Sequence, residues 1–202
     1  MHISEGVLSP AVLAGGWALA AGGTALGLRR LDHDRLMTVA ILSAAFFVAS
    51  LIHVPVGPAS AHLILNGLLG AMLGLAAFPA ILVALTLQAV LFQFGGLTVL
   101  GVNTFTMAFS AAACGWAFRP LLARGGRAGG VGAFLCGALG VGLAGLFTAC
   151  ALALSGEGFR AVAVALLLAH LPVMLVEGVV TALVVSFLAR VRPEALDFAH
   201  VR

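Results

Sequence analysis

The sequence predicts an all-α, polytopic membrane bundle of about seven transmembrane helices, with its N-terminus outside and its C-terminus cytoplasmic. Three observations carry that expectation. Of 202 residues, 62% are hydrophobic and only 8% charged, the balance of a helical membrane protein rather than a soluble domain. Residues 36–118 contain no Asp, Glu, Lys or Arg, a stretch far longer than the roughly 20 apolar residues one span needs. Nine of the ten cations, all arginine, gather in three clusters: Arg29, Arg30 and Arg35; Arg119, Arg124 and Arg127; Arg190, Arg192 and Arg202.

Taken in order, a first apolar run from about Leu8 to Leu28 ends at Arg29. The charge-free stretch breaks at "HVPVGPAS" (residues 53–60), near Phe78–Pro79 and at "FGGLT" (residues 94–98), which gives four segments. Two more runs, about Val131–Leu154 and Ala161–Ala189, are split by "SGEGFR" (residues 155–160). Seven spans with the N-terminus outside put every arginine except Arg160 on the cytoplasmic side, as the positive-inside rule requires. Without the break at Pro79, one arginine cluster would face the wrong way. The expected organisation is a single transmembrane domain over residues 1–202: an N-terminal loop at 1–7, a helical bundle at 8–190 and a cytoplasmic tail at 191–202.

Composition also excludes classes of function. The chain has no lysine, so it lacks the lysine of a G-x-x-x-x-G-K-[ST] phosphate loop; any ATP-driven step must be powered by another subunit. Cys114, Cys136 and Cys150 lie in apolar runs and read as small buried hydrophobes without a disulfide framework. No basic region precedes the first apolar run, so no cleavable signal is expected, and Met1 is expected to remain as the terminal amine. Small residues at Ala14, Ala18 and Gly22, and at Gly137, Gly140 and Gly145, read as close helix packing within the bundle, with a smooth face for a partner helix as the sharper alternative.

Counting spans brings His2, His53 and His62 to one membrane face. The Met1 amine, the His2 amide nitrogen and His2 Nδ1 can close two fused chelate rings on one cation. A fourth nitrogen would complete a square, a geometry that suits Ni(II) or Cu(II) more than tetrahedral Zn(II); Co(II) also accepts nitrogen donors. His62, read as standing just inside the third helix, is the expected fourth donor, with Asn66 and Gly70 on the same helix face. His53, at the end of a span, is its competitor.

Other intramembrane polar groups are candidate cavity residues, because such groups are costly and mark function. His170 and Glu177 stand seven residues apart, on one face of the last span if Pro172 leaves the helix continuous. They read as a bracing network, a proton- or cation-handling pair, or a contact to a partner. Gln88, Gln93 and Asn103 read as interhelical hydrogen bonders or ligand contacts. A membrane-embedded metal-dependent hydrolase using His53, His62 and Glu177 is one rival reading, although no H-E-x-x-H is present. A purely structural membrane subunit is another.

"MHISEGVLSP", "VPVGPASAHL", "VALTLQAVLFQFGGLTVLGVNTFTM" and "HLPVMLVEGVVTAL" together resemble the CbiM/NikM family over nearly the whole chain. These are the substrate-specific membrane subunits (S-components) of energy-coupling factor transporters for cobalt and nickel. The resemblance implies a seven-helix bundle with a metal-binding N-terminus, whose ligands are the Met1 amine, the His2 amide and ring, and the His62 ring. It further implies Ni2+ or Co2+ as the transported substrate and no organic cofactor. The partners would be a transmembrane coupling subunit, cytoplasmic ATPase subunits and a small accessory membrane subunit on a separate chain. The setting would be the lipid bilayer of a bacterial or archaeal cytoplasmic membrane, with no nucleic acid involved. The opening usually has a proline and an acid after the histidine; here Ser4 and Glu5 stand there, which keeps the acidic group and loses the proline's rigidity.

Overall fold

The structure, a computed structural model, describes residues 2–196. Seven α-helices and one two-stranded hairpin make up the described fold: α1 (Pro10–Arg29), α2 (Leu36–Ala49), β1 (His53–Val56), β2 (Ala59–His62), α3 (Asn66–Leu73), α4 (Ala77–Phe92), α5 (Leu100–Leu122), α6 (Gly126–Ser155) and α7 (Arg160–Val191). Four helical stretches, residues 10–29, 66–92, 126–155 and 157–191, are long and apolar enough to cross a membrane. Most of the fold is therefore helical, as expected, but the hairpin was not foreseen.

The hairpin follows from local chemistry. Val56 pairs with Ala59, so Gly57 and Pro58 form a two-residue turn. Gly57 adopts φ +58°, the positive first position that such turns require and that glycine supplies without a steric cost. Pro58 fits the second position with its fixed negative φ. His62 is therefore the last residue of a strand and not part of a helix, which corrects the expected His62–Asn66–Gly70 stripe. Asn66 instead opens α3, and Gly70 faces α5: a Cβ there would lie 1.9 Å from the Ala111 carbonyl oxygen.

The stretch 66–92 is not one straight rod. A straight helix from Asn66 would carry Gln88 about 33 Å away. Yet Gln88 bonds the ring of His2, which stacks on His62, four residues before Asn66. The chain turns back at Gly74–Ala76, a single 3-10 turn that opens with Gly74 at φ +54°. This moves the expected break from Pro79 to Gly74. Pro79 sits in the first turn of α4, where its missing N–H leaves no helical bond unmade. The eight-residue α3 is buried throughout. Backbone touches backbone there: a Cβ on Gly67 would meet Gly137 of α6 at 2.3 Å.

The remaining elements are short-looped. α5 runs through Arg119 and Pro120 to Leu122, and α6 begins at Gly126, five residues ahead of the expected Val131. α7 is one continuous helix across Pro172. On α1, Ser9 precedes a proline at the first helical position, a favourable start.

Two expectations about small residues change. Gly16, Gly23 and Gly27 are the α1 glycines that pack, against Val102, Phe78 and Leu75. Ala14, Ala18 and Gly22 face outward instead. Gly137 packs as expected, against the Glu177 carbonyl and Thr181, as do Gly140 and Gly145, against Asn66 and His170. Cys114 and Cys136 are buried but Cys150 is exposed, and all three are free thiols.

The molecule has two distinct ends. Ser9 bonds Ser155, and Trp17 donates to the Thr98 carbonyl, so the start of α1, the end of α6 and the α4–α5 loop share one end with His2. At the other end, Arg35 donates to the Met72 carbonyl (3.0 Å) and Gly27 meets Leu75.

Candidate metal centre

The N-terminal segment is anchored as a third, irregular strand beside the hairpin. Ile3 bridges Ala59, the Ser60 N–H donates to the His2 carbonyl (3.2 Å), and the Ser4 N–H donates to the Pro58 carbonyl (3.0 Å). A proline at position 4 could not make that last bond, so the departure at Ser4 substitutes a hydrogen bond for ring rigidity. Asn103, on α5, clamps Ile3 from the other side: the Ile3 N–H donates to Oδ1 (3.1 Å) and Nδ2 donates back to the Ile3 carbonyl (3.4 Å). The Ile3 side chain is fully buried, which stabilises the docked segment by about 1.5–3 kcal/mol. Glu5 fixes the far side by accepting the Thr98 N–H (2.9 Å).

This anchoring carries His2 inward against His62. The two rings stack with centroids 4.5 Å apart and planes 28° from parallel, and both are almost wholly buried. Each ring is held by one nitrogen. The Leu63 carbonyl lies 3.1 Å from His62 Nδ1; a carbonyl can only accept, so Nδ1 carries the proton and Nε2 keeps the lone pair. That Nε2 is buried without a hydrogen-bond partner among the described residues. Leaving a buried polar atom so costs about 1–3 kcal/mol, a cost that a bound cation would remove.

Gln88 performs the matching task on His2. Its Nε2 donates to the Phe47 carbonyl (3.1 Å) and to the Ser50 hydroxyl, which itself donates to Phe47 (3.0 Å). With the amide orientation thus set, Gln88 Oε1 faces His2 Nε2 at 2.8 Å and accepts its proton. His2 Nδ1 is left as the lone-pair nitrogen, the one that can chelate with the backbone of residues 1 and 2. Burial lowers the His2 pKa to about 3 and the His62 pKa well below its ordinary value, because the charged ring loses its hydration. Both rings are therefore neutral near pH 7, the state a metal needs. Rings 4.5 Å apart can share one ion with metal–nitrogen bonds of about 2 Å.

Of the other expected residues, Met1 lies outside the described residues. The structure brings Gln88 and Asn103 to the pair as orienting groups. Asn66 is buried behind it, where Nδ2 donates to the Met107 carbonyl (3.1 Å) and Oδ1 has no partner among the described residues. Glu177 Oε1 accepts the Ile64 and Leu65 N–H groups (2.6 and 2.7 Å) and so holds the turn just after His62, where Leu65 adopts φ +51°. His170 Nδ1 donates to the Leu166 carbonyl one turn back (2.6 Å). Gln93 is exposed. His53 is exposed, directly opposite His62 in the strand pairing. No group of three His, Cys, Asp or Glu side chains able to hold an ion occurs among the described residues, so His53, His62 and Glu177 do not form the hydrolase site. Sequence reasoning missed Ser50, which steers Gln88, and Phe94, which covers His2. The "FQFGG" stretch carried that second signal, since Gly95 and Gly96 take φ +75° and +140° and let the loop close over residues 2–5.

Comparison with known proteins places this arrangement. The profile of the CbiM family, described as the cobalt uptake substrate-specific transmembrane region, matches residues 2–195. Two relatives, both provisionally named, are similar along almost the whole chain. A metal transport protein of Haemophilus influenzae is 44% identical over 98% of this chain and 97% of its own. A fused nickel transport protein, NikMN, of Archaeoglobus fulgidus is 32% identical over 98% of this chain and 68% of its own. The crystal structure of a transition metal transporter superposes with a TM-score of 0.84 at 32% identity, covering 99% of this chain and 96% of that one.

Proposed function

This chain belongs to the CbiM family of cobalt and nickel transport membrane proteins, and from that premise we propose that it is the substrate-binding membrane subunit of an energy-coupling factor transporter for Ni2+ or Co2+. It is a transport subunit and not an enzyme. In this reading seven helices span a bacterial or archaeal cytoplasmic membrane with the N-terminus outside, and the arginine end faces the cytoplasm. Energy comes from separate ATPase subunits acting through a transmembrane coupling subunit, in keeping with the absence of lysine. The outward-facing Ala14, Ala18 and Gly22 favour close docking of that partner.

The observation that carries the proposal is the buried pair of neutral imidazoles, each tied at one nitrogen so that the other keeps its lone pair. The ion sheds water from outside and takes the Met1 amine, the His2 amide and Nδ1, and His62 Nε2. Four donors replacing water together offset the cost of dehydrating a divalent cation, which one side chain could not do. Rotation of the loaded subunit by its partners then releases the ion inward.

Acetylating the Met1 amine tests the chelate, because it converts the terminal amine to an amide and leaves no amine to close the first five-membered ring. Calorimetric titration with Ni2+ and Co2+ should show affinity reduced by about 100-fold or more, with the unfolding temperature unchanged. Unaltered affinity overturns the proposal.

A further inference from the structure

The histidine pair is buried, so an arriving ion needs a route. Among the described residues a cavity of about 170 Å3 joins the N-terminal segment, the hairpin and the loop after α4, lined by His2, Ser4, His53, Ser60, Phe94 and Gly95 among others. His2 forms its buried wall and His53 its exposed one. The Leu51 carbonyl lies 3.0 Å from His53 Nδ1, so Nδ1 donates and Nε2 carries the lone pair. Phe94 contacts both rings, edge-on to His53 at 4.7 Å and tilted against His2 at 6.1 Å. Cross-strand pairing sets His53 opposite His62, which puts their β-carbons about 5 Å apart on one face of the hairpin.

We infer that His53 is an outer, transient station for the ion, and that Phe94 is the gate between it and the buried pair. The inference rests on the metal-transport reading and adds to it an entry ligand. A hydrated Ni2+ or Co2+ exchanges one water for His53 Nε2 at the exposed wall. It then passes Phe94 into the pair, trading the remaining water as the chelate closes. Phe94 is half-buried in a stretch outside any helix or strand, where turning its side chain alone would open the way. His53 does not serve in the final site: its ring stays exposed and turned to Phe94, while His62 is enclosed.

A station on the path changes rates in both directions and leaves the equilibrium alone. Stopped-flow mixing of Ni2+ with the purified full-length chain and an indicator dye separates the two quantities. His53→Ala should slow association about ten-fold, within the range single changes reach, with dissociation slowed equally and affinity retained. Phe94→Ala should speed both. An unchanged association rate in His53→Ala overturns the station. Loss of affinity as great as in His62→Ala also overturns it, since His53 would then be a permanent ligand. A wild-type chain that binds no ion ends the metal-transport reading and this inference with it.

Discussion

The two ends of the molecule use polar residues in opposite ways. At the arginine end the ionised side chains are largely exposed: Arg29, Arg30, Arg124, Arg127, Arg190 and Arg192 all face outward. Arg192 pairs with Glu194 only loosely, at 3.8 Å, an exposed contact worth little. At the histidine end His2, His62, Gln88 and Asn103 are neutral and buried; His2, Gln88 and Asn103 are aimed by partners on other segments, and His62 by the carbonyl of its neighbour Leu63. The first pattern can orient a chain in a bilayer without fixing any atom. The second fixes individual nitrogens and leaves chosen lone pairs open. Burial combined with one-sided hydrogen bonding, more than charge, marks the place proposed for the ion.

The contrast breaks first at His62. His62→Ala removes the one donor contributed from the hairpin, and titration should show Ni2+ affinity reduced by about 100-fold or more. Arg29→Gln together with Arg30→Gln, at the other end, should leave that affinity unchanged. Equal losses at both ends would erase the distinction. A smaller effect lies one layer out. Gln88→Met keeps the volume but removes the acceptor that holds the proton on His2 Nε2 and fixes the ring's orientation, so the neutral ring is free to turn or to carry its proton on Nδ1 instead. Affinity should fall about ten-fold while the unfolding temperature stays nearly constant; no change would mean that Gln88 does not select the tautomer.

Much of this was legible in the sequence, and what was not has physical causes. Charge-free runs and arginine clusters gave the helices, because desolvation makes ionised groups punctuate apolar segments. Counting alternations along the chain brought His2, His53 and His62 to one face, while the choice of His62 rested on an expected helix that is in fact a strand and on the family resemblance. The hairpin was hidden because "HVPVGPASAH" is short and its apolar residues suit a helix end equally well; only the Gly57–Pro58 turn betrayed it. Pro79 misled because proline is read as a breaker, whereas in the first turn of α4 it breaks nothing, and the reversal belongs to Gly74. The role of Gln88 was out of reach, since it depends on Ser50 and Phe47, which become neighbours only when α2 packs against α4.

The smallest expected effect separates the ends by acidity. His2 and His62 have folded-state pKa values far below the ordinary imidazole value near 6.5, with His2 at about 3. Above pH 6.5 both folded and unfolded chains hold these rings neutral, and stability does not change with pH on their account. As the pH falls below 6.5 the unfolded chain takes up protons that the folded chain refuses, so the unfolded state gains and stability is lost, down to the folded-state value. At pH 6 the loss amounts to about 1 kcal/mol for His2, and His62 adds a loss of the same sign. Thermal unfolding of the metal-free protein in detergent should therefore give a lower midpoint at pH 6 than at pH 7.5, and His2→Gln should reduce that drop by removing one of the two rings. Arg29→Gln should leave the drop intact, because it lies at the other end of the molecule and alters neither ring. A wild type whose midpoint is flat from pH 7.5 to 6 would mean that the two rings reach water, and the enclosed, proton-free donor pair would not exist.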